Sequence, residues 1–242
     1  MKFVIHNDSK KDTIVMIPPG GLDERAFAGA LQYLADYRIV IPVLDGNVIG
    51  ENSILPDRKT EVDRIIGGLQ RQGVSEIGIL FGLSYGATLA LEILMTRKIK
   101  IQKTVLDGGS FMKYGIAMKA MNYIGTSVYV RSVRKNPNKP SMYAALGETI
   151  DRSAREVFSQ MSEETLKMLI RDSMSGVTPV DHGIQSEDNL LVLYGEKDGY
   201  RGGMKWFDDH HYPCKKMILK GYGHCQYFAK KTGDYAERFL KV

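Results

Sequence analysis

Six short runs rich in branched apolar residues punctuate the chain, and each stops at a loop-forming cluster. Thr13–Ile17 (TIVMI) ends at Pro18-Pro19-Gly20-Gly21, and Arg38–Leu44 (RIVIPVL) at Asp45-Gly46-Asn47. Glu76–Phe81 (EIGILF) runs into Gly82, and Gln102–Leu106 into Asp107-Gly108-Gly109. Asn189–Tyr194 (NLLVLY) and Lys215–Leu219 complete the set. Runs of this length, bounded by glycine and proline, read as strands buried on both faces. Between them lie helical patterns. In Asp57–Gln72 the apolar positions Val62, Ile65, Ile66 and Leu69 fall at i, i+3, i+4 and i+7, and Gly73 ends the pattern. Asp23–Ala35, Gly86–Thr96, a stretch near 202–209 and Gln226–Leu240 also read as helices. Strands alternating with helices demand crossover connections. The expected class is therefore α/β, with a mostly parallel central sheet flanked by helices.

The rhythm breaks once. From Phe111 to Gln185 the strand signal vanishes and the pattern turns helical, as in Met161–Met174 with Ser162 as its cap. The expected organisation is a core of 1–110 and 186–242 interrupted by a helical cap insertion, 111–185. An apolar fraction of 43% supplies a sizeable core and excludes a disordered chain.

No apolar run is long enough to span a membrane, and the opening MKFVIHNDSK turns polar too early for a signal peptide. Two cysteines, Cys214 and Cys225, make no disulfide framework, so a cytoplasmic protein is expected. The net charge of +5 is uneven: between Arg97 and Pro140 ten Lys/Arg face a single acid, Asp107. That is a solvated basic surface, or a rim that steers an anionic substrate. Tyr114, Tyr123 and Tyr129 lie in the same stretch without a nucleic-acid-binding motif, so no nucleic acid is expected as partner. Neither a metal-ligand spacing nor a phosphate or dinucleotide loop is present, so no metal and no cofactor is expected.

Gly82-Leu83-Ser84-Tyr85-Gly86 follows a strand and opens a helix. A serine at the tip of that turn sits where strand and helix approach closely, so glycine is wanted two residues away on either side. The following helix aims free N–H groups at the serine. A serine hydroxyl needs a base to take its proton. Of five histidines, His224 lies just after the last strand, at the carboxyl edge that carries Ser84. The base in turn needs an orienting acid. Asp198, after NLLVLY, is the first candidate, and Asp107, after the preceding strand, is the fallback. Asp45 is a third acid at such a position, farther along the sheet.

The order Ser84…Asp198…His224 and the Gly-x-Ser-x-Gly setting resemble the α/β-hydrolase fold superfamily, in particular its compact esterase and aminoacyl-peptidase-like serine hydrolases. The resemblance covers all but the helical stretch 111–185, where that family carries a variable cap. It implies acyl transfer to water through an acyl-enzyme, on a small-molecule ester, thioester or amide. It also implies an oxyanion hole built from the backbone N–H of Tyr85 and that of Gly20 or Gly21. Where many members have His-Gly in that loop, this chain has Pro18-Pro19-Gly20-Gly21. The rival expectations are a catalytically weak ligand-binding protein and a non-hydrolytic acyltransferase or lyase. Seven of the twelve methionines (Met112, Met118, Met121, Met142, Met161, Met168 and Met174) fall in the insertion. They either fill its packing or line an apolar acyl pocket.

Overall fold

The computed structural model describes residues 1–140 and 143–241. Seven strands form one sheet: β1 (Lys2–His6), β2 (Thr13–Ile17), β3 (Arg38–Val43), β4 (Glu76–Leu83), β5 (Lys100–Asp107), β6 (Leu190–Gly195) and β7 (Lys215–Leu219). Their spatial order is β1-β3-β2-β4-β5-β6-β7. β1 pairs antiparallel with β3, and every other neighbouring pair is parallel. β1 has no counterpart among the sequence expectations. Its five residues, half-buried at the sheet edge, carry too short an apolar run to announce a strand.

The chain leaves β2 in one direction, toward β3, and then continues from β4 through β7 in the other. The loops after β2 and β4 therefore diverge, and a crevice opens at their carboxyl ends. Register aligns those ends: Ile17 pairs with Gly82, Leu83 with Asp107 and Gly195 with Leu219.

Alternate side chains of β2 enter two different cores. Val15 and Ile17 pack on one face with Ile65, Leu69, Leu89 and Leu91. Ile14 and Met16 pack on the other with Phe27, Phe81, Tyr235 and Phe239. Each central strand is thus buried on both sides, which is why its sequence reads as an unbroken apolar run.

The helices are α1 (Ala28–Leu31), α2 (Arg58–Arg71), α3 (Tyr85–Thr96), α4 (Ile116–Lys135), α5 (Glu148–Gln160), α6 (Glu163–Ser173), α7 (Met204–Asp209), α8 (Gln226–Lys230) and α9 (Thr232–Phe239). Two expected helices are shorter. The stretch from Asp23 begins as a 3-10 turn, Glu24–Phe27, capped by the Asp23 carboxylate, and α1 is a single turn containing Gly29. The C-terminal helix is broken at Lys231 into α8 and α9.

Between β5 and β6 the regular helices are α4, α5 and α6. Ser162 caps α6, its Oγ accepting from Thr165 N at 3.0 Å. Arg58 in α2 brackets this segment. Its Nε lies 2.6 Å from a Glu92 carboxylate oxygen in α3, Nη1 donates to Asp172 O at 3.0 Å, and Nη2 donates to Gly176 O. No helix among the described residues is long and apolar enough to cross a membrane.

Candidate active site

Ser84 stands between β4 and α3 with φ 54° and ψ −118°, a conformation costly for a residue with a Cβ. The surroundings hold it there. Ser84 N donates to Asp107 O at 2.8 Å, tying the turn to β5. A Cβ on Gly82 would lie 2.3 Å from Gly86 O, and one on Gly86 would lie 2.2 Å from Ile17 O. Backbone occupies both places, so the two glycines are a packing requirement of the turn.

The loops after β6 and β7 bring the other two groups to the same edge. His224 Nε2 lies 2.9 Å from Ser84 Oγ, and its Nδ1 lies 2.9 Å from Asp198 Oδ2. The second carboxylate oxygen of Asp198 accepts the Tyr200 N–H at 2.8 Å. The Asp198 side chain is fully buried, whereas the imidazole is half-buried. Burial of the ring disfavours its protonation, while Cys225 and Asp198 favour it, and the balance holds His224 well above the ordinary histidine value of 6.5. Burial also pushes the Cys225 thiol up.

Asp107 reaches the same edge but turns away. It is buried, and its Oδ2 accepts from Tyr235 Oη at 3.0 Å. Its Oδ1 has no hydrogen-bond partner among the described residues. Burial, with Asp198 adding to it against the Tyr235 hydroxyl and His224, raises the carboxyl to about 7. Asp45 lies elsewhere, bonded to the N-terminal amine and to Arg64. The sequence places all three acids after strands; the direction of each side chain separates them. His6 is in β1, and His210 Nδ1 lies 2.7 Å from Trp206 O.

A cavity of about 120 Å³ opens above Ser84. Gly20 and Tyr85 line it at the base, and Asn122 and Thr126 of α4 with Phe158 and Leu169 form part of its roof. Gly20 lies against Leu169, whose Cδ1 would be 2.4 Å from an added Cβ. Gly21 has φ 77° and faces the Phe158 ring. Among the described residues no methionine lines the cavity. Met118 and Met121 are exposed, while Met161 and Met174 are in the core; Met142 lies outside the described residues. The apolar lining includes instead Phe158, Leu169 and Ile170.

Two neighbours of the site escaped sequence reasoning. Tyr200 ties the roof to the acid: its N–H binds Asp198, its hydroxyl accepts from Asn122 Nδ2 at 3.2 Å, and its ring centroid lies 5.2 Å from that of His224. Gly108, φ 69°, packs beneath the imidazole, where a Cβ would lie 2.8 Å from His224 Cε1. The only signal for it was the Asp-Gly-Gly turn, read as a strand ending. No group of three or more His, Cys, Asp or Glu among the described residues is placed to hold a metal ion.

Sheet order, the serine turn and the loop positions are those of the α/β-hydrolase fold, and this chain has that fold. A putative α/β-hydrolase family protein from Desulfitobacterium hafniense superposes with TM-score 0.76 at 17% identity, covering 98% of this chain and 97% of that one. A structure from a study of carboxylesterases of the thaumarchaeon Nitrososphaera gargenis gives 0.77 at 15%, covering 99% and 93%. A bromoperoxidase from Bacillus anthracis gives 0.75 at 16%, covering 99% and 95%. No protein-family model matches the sequence, and no curated protein does.

Proposed function

We propose that the protein is a serine hydrolase that cleaves a small carboxylic ester, thioester or amide through an acyl-enzyme. The observation that carries this reading is the continuous path Ser84 Oγ, His224 Nε2, His224 Nδ1, Asp198 Oδ2, with 2.9 Å at each step between residues. Ser84 Oγ attacks the carbonyl carbon while His224 Nε2 takes its proton. Asp198 keeps Nδ1 protonated and stabilises the imidazolium that forms. His224 then returns the proton to the leaving group. Water, activated by the same imidazole, attacks the acyl carbon and releases the acid and free Ser84.

The negative oxygen of the tetrahedral intermediate is held by the Tyr85 N–H at the start of α3 and by the loop after β2. The donor there is the N–H of Gly20 or Gly21; that Gly20 lines the cavity beside Ser84 supports Gly20. Each such donor lowers the barrier by about 3–4 kcal/mol. The cavity volume of about 120 Å³ lies below the roughly 300–1,000 Å³ of pockets for drug-sized ligands, which favours a short acyl group.

A fluorophosphonate probe tests the reading. Wild type labels at Ser84 and Ser84→Ala does not. An unlabelled wild type would assign the protein to the ligand-binding alternative, and labelling without release of product from p-nitrophenyl esters would favour an acyltransferase. Among acetate to decanoate esters, the short ones are turned over fastest; a preference for the longest would refute the short-acyl assignment.

A further inference from the structure

Six of the eleven large apolar side chains that are exposed among the described residues belong to one helix, α4: Ile116, Met118, Met121, Tyr123, Ile124 and Val128. Its inner side is committed to the protein, with Tyr129, Val130 and Val133 buried and Asn122 and Thr126 at the cavity. Its outer side follows a different pattern. Ala117, Met121, Ile124, Val128, Arg131 and Lys135, spaced alternately four and three apart, form one stripe, and every one of them is exposed. Ile116, 86% exposed, stands beside it. The stripe is apolar for three turns and cationic for the last.

Charge decides what covers it. α4 contains Lys119, Arg131, Arg134 and Lys135 and no acid, and Lys113 and Lys139 flank it. Arg134 donates to Ser159 O and Met161 O, but among the described residues no carboxylate pairs with Lys113, Lys119, Arg131 or Lys135. A second copy of this helix would meet those cations with no carboxylate of its own, whichever way the two helices ran. A surface that is apolar beneath and anionic above answers both halves of the stripe.

We propose that α4 docks the protein on an anionic lipid surface. Met121, Ile124 and Val128 enter the acyl boundary, and Arg131 and Lys135 lie at the head groups, their stems along the apolar layer. The opposite side of the same helix faces the cavity over Ser84, so docking brings that cavity close to the lipid.

Vesicle co-sedimentation tests this, using phosphatidylcholine alone and phosphatidylcholine mixed with phosphatidylglycerol. The expected result is binding to the mixed vesicles at low salt, about tenfold weaker binding to phosphatidylcholine alone, and release at high salt. The pair Ile124→Asp and Val128→Asp weakens binding to mixed vesicles by about tenfold or more. The pair Arg131→Glu and Lys135→Glu abolishes the preference for the anionic vesicles. All four positions are exposed, and an unchanged circular dichroism spectrum verifies folding. Ser84→Ala binds as wild type does, so failure of the hydrolase reading would leave this result intact. Absence of binding to mixed vesicles at low salt overturns the proposal, as does undiminished binding of the Asp pair. A dimer in sedimentation velocity that the Asp pair dissociates would assign the face to a second copy instead.

Discussion

All five residues of β2 are buried, whereas in the twenty residues of α4 only Tyr129, Val130 and Val133 are. The sheet is held by register on both sides of every inner strand. The helices between β5 and β6 are held by scattered contacts: Leu169 against Gly20, Phe158 against Gly21, and the Arg58 bracket. The difference divides the labour at the site. The sheet edge sets the 2.9 Å spacings around Ser84, and the helices set the room available to a ligand. Changes in the first should cost turnover; changes in the second should alter which substrate is preferred.

The largest expected effect is at the sheet edge. Ser84→Ala should lower kcat by about 10⁶-fold without changing the melting temperature appreciably, measured by ester hydrolysis and thermal unfolding. Asp198→Asn should cost about 10⁴-fold, since the amide favours the wrong imidazole tautomer. Asp107→Asn should cost less than about tenfold, because that side chain bonds Tyr235 and not the imidazole. The reverse ranking would move the orienting role to Asp107. Asp107 has its own signature in stability. Its carboxyl rises from 3.8 to about 7 on folding, so its contribution is fully present below pH 3.8 and lost as pH climbs through about 7. Denaturant melts across that window should show a flatter decline for the Asn variant.

Gly108→Ala comes next. The new methyl would press on His224 Cε1 at a φ that disfavours side chains. A loss of about 10²-fold in kcat/KM is expected, with roughly 1–2 kcal/mol of stability. Leu169→Ala sharpens the other half of the comparison. It should cost about 2–3 kcal/mol in stability while shifting preference toward longer acyl chains in the ester panel. The smallest effect is a displacement. A base must be unprotonated to act, so the acid limb of kcat/KM should lie above pH 6.5, where the environment of His224 holds it.

The same division governs what could be read from the residues alone. A strand buried on both faces announces itself as TIVMI or NLLVLY, and the serine turn as glycine, serine, glycine between strand and helix. These signals are local. α4 is apolar toward the protein and apolar toward the outside, so its sequence carries no clean period; α6, with Ser162 and one apolar side, was easier to place. β1 gains its identity from pairing with β3, a partner more than thirty residues on, which no local window contains. Asp107 and Asp198 both follow strands at one edge. Side-chain direction distinguishes them: Asp107 accepts from the Tyr235 hydroxyl, whereas Asp198 meets His224 Nδ1 and accepts from the Tyr200 N–H.

Arg58 lies outside the cavity, yet it fixes the last turn of α6 and the chain just beyond, a few residues from Leu169 and Ile170. The ceiling over the serine is thus adjusted from a distance, as a hinge pin sets the gap of a door. Selection for a different ligand could work at that pin and leave every residue lining the cavity as it is.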